Sequence, residues 1–104
     1  MTTKEIIQRC KAILASHYGP VFKGLVLYGS VACGRARSTS DLDLLVLLAG
    51  PFDYFEELRR IVDLLYPVQL DSERLISAKP APLDEYERGS VRLYRNAKRE
   101  GKLV

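Results

Sequence analysis

Asp41 and Asp43 are separated by one leucine and stand at the head of the apolar run Leu44-Leu45-Val46-Leu47-Leu48. Alternate residues of a strand share a face, so the pattern predicts two carboxylates side by side at the mouth of a buried strand. At a spacing of about 4 Å two unit charges repel by roughly 4 kcal/mol at an effective dielectric near 20. Against the net stability of a small domain, about 5–15 kcal/mol, that repulsion calls for a remedy: solvation at the strand start, a shared proton, or a hard divalent cation. Mg²⁺ is the strongest, since it binds through one or two carboxylates together with substrate phosphate oxygens. Upstream of Asp41, with ten residues between, lies Gly29-Ser30, at the end of a second apolar run, Leu25-Val26-Leu27-Tyr28. There the chain is expected to close a strand and open a short helix through Val31, Ala32 and Cys33, offering N–H groups and a hydroxyl to an anion such as phosphate. For the end of one strand and the start of the next to serve one metal-phosphate centre, the two strands must run antiparallel.

These elements need a small scaffold. The 104 residues are expected to form a single domain, residues 1–104, with 47% hydrophobic and 28% charged residues, an ordinary globular balance that argues against disorder. The longest apolar run is too short to span a membrane and Met1 is not followed by a charged-then-apolar leader, so the cytoplasm is the expected setting. Cys10 and Cys33 lack metal-ligand spacing and fit reduced thiols. The net charge of +3 gathers in Arg35, Arg37 and the tail Arg92, Arg95, Lys98, Arg99 and Lys102. Without an interleaved aromatic stripe this suits a nucleoside triphosphate as well as a nucleic acid, and nucleic acid is not expected as the main ligand.

In chain order, Thr2-x-x-Glu5 reads as a capping box for an amphipathic helix over residues 3–16, ended by Gly19-Pro20. His17, beside that break, reads as a helix-end surface residue. A strand is expected over Val21–Tyr28, then the Gly29–Asp43 connection, in which Arg35 and Arg37 are candidates to meet phosphate by charge-assisted hydrogen bonds or to stay solvated, and Ser38-Thr39-Ser40 shapes the turn. After Gly50-Pro51, Asp53-x-x-Glu56 caps a helix with Phe55, Leu58, Ile61, Val62 and Leu65 on its apolar face and Glu57, Arg59, Arg60 and Asp63 on its solvated one. A helix of that length between strands is a crossover, so a third strand, parallel to the second, is expected over residues 67–72. Lys79-Pro80-Ala81-Pro82 reads as a stiff connector, followed by one or two short helices broken at Gly89 and stopped at Gly101. Leu103-Val104 is expected to add slight edge pairing or to be disordered.

Gly29, Ser30, Asp41 and Asp43, with ten residues between Ser30 and Asp41, resemble the G-S-x₁₀-D-x-D signature of the DNA polymerase β-like nucleotidyltransferase superfamily. Gly34, Ser40 and the ending Tyr94-Arg95-Asn96-Ala97-Lys98-Arg99-Glu100-Gly101 resemble its minimal nucleotidyltransferases. The resemblance implies an α+β fold in which a small mixed sheet of three to four strands is packed by helices. It also implies transfer of NMP, as AMP from ATP or from another NTP, to a hydroxyl of a protein or small-molecule acceptor. Two Mg²⁺ ions would be held by Asp41, Asp43 and a third carboxylate on the third strand; Asp71 is the candidate, since Gln69 stands where many members have an acid. Gly29 and Ser30 would hold phosphates, with Arg35, Arg37 and Ser40 lining the nucleotide site. Cys33 departs from the basic residue frequent there, and Arg35 could compensate. The resemblance implies a HEPN-domain or other helical partner and the antitoxin half of a toxin–antitoxin pair. A homo-oligomer that completes the site is a further expectation. The alternative is a catalytically weak or inactive nucleotide-binding protein that neutralises its partner by contact.

Overall fold

In the computed structural model, which describes residues 1–37 and 39–104, the order of elements is α1 (Thr3–Tyr18), a 3₁₀ turn (Gly19–Val21), β1 (Phe22–Tyr28), α2 (Gly29–Ala32), β2 (Leu42–Leu48), α3 (Tyr54–Asp71), β3 (Ile76–Pro82), α4 (Leu83–Arg88), α5 (Arg92–Glu100) and β4 (Lys102–Leu103). Among the described residues the strands form one mixed sheet in the order β3-β2-β1-β4. The expected antiparallel pairing of β1 and β2 is observed and sets Tyr28 against Asp43. β3 lies parallel to β2, and β4 pairs with β1, so the closing residues do join the sheet.

Strand alternation divides the core. Leu42, Leu44, Val46 and Leu48 face a layer built on Ile6, Ile7, Cys10 and Leu14 of α1 and Ile61, Leu65 and Val68 of α3. Leu45 and Leu47 join Val26, Ala81 and Ala97 under α4 and α5 on the other face. Each residue of β2 is therefore committed to one layer, and Asp43, two positions before Leu45, is committed to the α5 side. The capping box forms: Thr2 Oγ1 accepts from the Glu5 amide at 3.1 Å, and Glu5 accepts from the Thr2 amide at 3.2 Å.

Three expectations are corrected. Residues 67–72 are not a strand. α3 continues through Pro67 to Asp71, because Leu65 and Val68 are buried at helical spacing while Pro67 sits on the exposed side, where water can satisfy the carbonyl left without its intrahelical donor. Lys79-Pro80-Ala81-Pro82 is not a connector but the greater part of β3, paired through Leu48↔Pro82; an edge strand tolerates prolines that lack a donor. The faces of α3 also differ from the pattern read in the sequence: Phe55 and Val62 are exposed, whereas Glu57 is buried. Its carboxylate accepts from Tyr18 Oη at 2.9 Å and from Arg60 Nη1 at 2.8 Å, which satisfies the buried charge.

Candidate functional site

The site is built where β1 ends and β2 begins. Gly29 follows directly on β1 with φ of +78°, a region that side chains enter at a cost. A Cβ there would collide with Oδ2 of Asp43 and lie 3.2 Å from its Cγ. The glycine is therefore required twice, once by the backbone and once because the Asp43 carboxylate rests against it. Ser30 follows in the single turn of α2, partly exposed, and its carbonyl accepts from the Arg35 amide at 2.9 Å, turning the chain back toward β2.

The loop leading to Asp41 is held from below. Ser40 Oγ accepts from the Arg37 amide at 2.9 Å and the Ser40 amide donates to the Arg37 carbonyl at 3.0 Å. Arg74, just beyond α3, donates through Nη1 to the carbonyls of Arg37 (2.7 Å) and Ser40 (2.9 Å). The turn role expected of Ser38 lies outside the described residues; that of Ser40 is met by these bonds. Arg35 and Arg37 are exposed on this loop.

Asp41 is exposed and Asp43 partly buried. Burial and the neighbouring Asp41 charge raise the Asp43 carboxyl above the usual carboxylate range, while the ammonium of Lys79 opposes them. Tyr28, opposite Asp43 in the ladder, is pushed up to about 12 by burial and by the Asp43 charge. The arrangement is one of compressed negative charge beside a glycine and a hydroxyl, which suits a divalent cation carrying phosphate. Two carboxylates suffice for one Mg²⁺ whose remaining positions are filled by phosphate and water. Among the described residues no group of three or more His, Cys, Asp or Glu side chains is placed to hold a metal.

Asp71 is not brought to this pair. It ends α3 and is bound to Arg9 of α1, Nη1 to Oδ2 at 2.9 Å, on the layer opposite to the one that Asp43 faces. Its place beside the site depended on a strand that is a helix. Gln69 likewise serves the backbone, donating to the Arg74 carbonyl at 3.0 Å and accepting from the Ile76 amide at 2.7 Å. The residues of β3 beside Asp43 are Ser77, its direct ladder partner, and Lys79, one pleat further. Reading residues 76–82 as a strand would have found both by alternation. No comparable signal marks Arg74, whose role arises only from tertiary placement. A separate cleft of about 480 Å³ lies at the other end of the sheet between Ala49–Phe52 and Pro82–Glu87; Asp84, Glu85 and Glu87 on its wall make it a poor receptor for phosphate.

Comparison with known proteins bears on the fold and the family. No curated protein sequence matches the chain. Among solved structures, one assigned as a minimal nucleotidyltransferase superposes with a TM-score of 0.63 at 26% identity, covering 100% of this chain and 97% of that one. A toxin–antitoxin crystal structure with AMP-PNP gives a TM-score of 0.53 at 20% identity, covering 98% of this chain and 72% of the other. A variant of the toxin–antitoxin MntA-HpeT gives 0.51 at 20% identity, covering 100% and 72%. The sequence profile of the nucleotidyltransferase domain matches residues 7–102, a span that takes in β1, the glycine-serine turn, both aspartates and the closing helix, and the chain belongs to that family.

Proposed function

We propose that this chain binds a nucleoside triphosphate with Mg²⁺ at the Asp41–Asp43 edge and transfers NMP, as AMP from ATP, to a hydroxyl of a partner protein or small molecule. The observation that supports the reading is the packing of the Asp43 carboxylate on Gly29, which brings the aspartate pair and the glycine-serine turn together at one edge of the sheet. Asp41 and Asp43 hold the cation, which when bound neutralises charge on the phosphates. Gly29 and Ser30 hold the β- and γ-phosphates, and Arg35 and Arg37 approach from the loop. In the transfer, the acceptor oxygen bonds to the α-phosphorus, the bond to the bridging oxygen breaks and pyrophosphate leaves. Because β3 carries no carboxylate, the acceptor's proton passes to a base outside that strand.

The physiological setting we propose is the cytoplasm, as the antitoxin half of a toxin–antitoxin pair with a HEPN-domain toxin. Support comes from the likeness in fold to toxin–antitoxin structures, one of them with AMP-PNP. A second reading, neutralisation by contact with nucleotide binding but without transfer, is favoured by the lack of an acid on β3. The two separate in one experiment: the chain is co-expressed with its partner, the complex is incubated with Mg²⁺ and ATP labelled at the α-phosphate, and the intact mass of the partner is measured. Transfer adds one or more AMP units, lost in Asp41→Asn/Asp43→Asn. An unlabelled partner that the double variant still neutralises overturns transfer in favour of contact.

A further inference from the structure

β3 has an unexpected composition on the face it shares with the site. Ala78 goes to the layer under α1 and α3, whereas Ala81 is buried with Leu45, Leu47 and Ala97. Ser77 and Lys79 alternate with Ala81 and so share its face, the face of Asp43. The ladder sets Ser77 across from Asp43 and Lys79 across from Leu45. Lys79 is half-buried, and among the described residues its ammonium enters no hydrogen bond or ion pair with a side chain. It differs in this from Arg35 and Arg37, which stand exposed on the loop. A strand-held cation without a fixed partner, pointing to the same edge as two crowded carboxylates, is poised for a third group that is negatively charged.

We propose that Lys79 is a phosphate-binding residue of the nucleotide site, standing on β3 where a third carboxylate was expected, so that the chain takes a nucleoside triphosphate with one divalent cation rather than two. The inference rests on the nucleotide reading above and deepens it. A triphosphate meeting Asp41 and Asp43 alone would be repelled at every charge the metal leaves uncompensated, and Lys79 offsets part of that with a direct donor. The same ammonium adds positive charge beside the two carboxylates, and like-charge repulsion would disfavour a second divalent cation there.

The test uses the whole chain with Mg²⁺, Mn²⁺ and ATP or its non-hydrolysable imido analogue, and reads binding rather than turnover. Wild type is expected to bind ATP only with the metal and to hold one Mn²⁺ per chain, counted by electron paramagnetic resonance with the analogue bound. Lys79→Met is expected to weaken ATP binding by about tenfold or more, the scale of one charge-assisted hydrogen bond, with Lys79→Arg keeping part of the affinity. A measurement that needs no variant runs alongside: acylation of surface amines followed by mass spectrometry should show Lys79 protected when Mg²⁺ and ATP are added. Unchanged affinity in Lys79→Met, an unprotected Lys79, or two bound Mn²⁺ overturns the proposal. Asp43→Asn separates the levels of the argument. If wild type binds, Asp43→Asn does not and Lys79→Met does, only the role of Lys79 falls; if wild type shows no metal-dependent binding, the nucleotide reading falls with it.

Discussion

Gly29→Ala probes the site through its backbone, and its cost divides into two parts. At φ of +78° an alanine incurs the left-handed penalty, about 1–2 kcal/mol. Its Cβ also meets Oδ2 of Asp43, with Cγ at 3.2 Å and Cβ at 3.4 Å, so the carboxylate must swing away from its resting place. In Asp43→Ala only the 3.4 Å contact with Cβ remains, an ordinary one, and Gly29→Ala then costs the backbone penalty alone. For a domain of this size each kcal/mol moves the melting temperature by about 4–8 °C, so the backbone penalty by itself lowers it by about 4–16 °C. In the wild-type background the fall is larger, with a coupling of about 0.5–3 kcal/mol between the two positions. Thermal unfolding of the four proteins of the cycle, followed by circular dichroism, measures this. If Gly29→Ala costs the same whether or not Asp43 is present, the carboxylate does not rest on the glycine and the argument for a built site at this edge fails.

Other expectations follow from the same contacts. Asp43 has a raised carboxyl in the folded state, so the fold binds that proton more tightly than the unfolded chain and stability attributable to the group falls as pH rises past the ordinary value near 3.9; Asp43→Asn should melt above wild type at pH 7, with the gap closing as pH falls through the raised value. Arg74→Ala removes the donor to the Arg37 and Ser40 carbonyls and should weaken metal-dependent ATP binding while leaving the strand ladder intact, read by calorimetry and by hydrogen exchange at residues 42–48. Gly101→Ala would put a Cβ 2.8 Å from the Leu27 carbonyl and 3.0 Å from Val26 Cγ1, and should cost about 1–3 kcal/mol by overpacking, seen as a lower unfolding midpoint and loss of protection at Val104, whose amide donates to Leu25 at 2.9 Å.

The signature half of the chain was legible because chemistry and periodicity coincide there. Val26 and Leu45 read as strand residues, Gly29 as a turn, and Asp41 and Asp43 as a pair, and each reading supports the others. The region from Pro67 to Pro82 was misread because proline punctuates it at both ends. Pro67 lies inside a helix whose buried Leu65 and Val68 outweigh the missing donor, while Pro80 and Pro82 lie in an edge strand that needs fewer donors. That shift moved Asp71 to a helix end beside Arg9 and brought Ser77 and Lys79 to Asp43 instead. The burial of Glu57 was equally hidden, since its partner Tyr18 is 39 residues away in sequence.

The most direct test of the central claim is a calorimetric titration of ATP into wild type and into Asp41→Asn/Asp43→Asn, each with Mg²⁺ and with EDTA. Wild type should bind ATP saturably with Mg²⁺ and not with EDTA, and the double variant should bind under neither condition. Binding indifferent to metal, or retained when both carboxylates are gone, would contradict it.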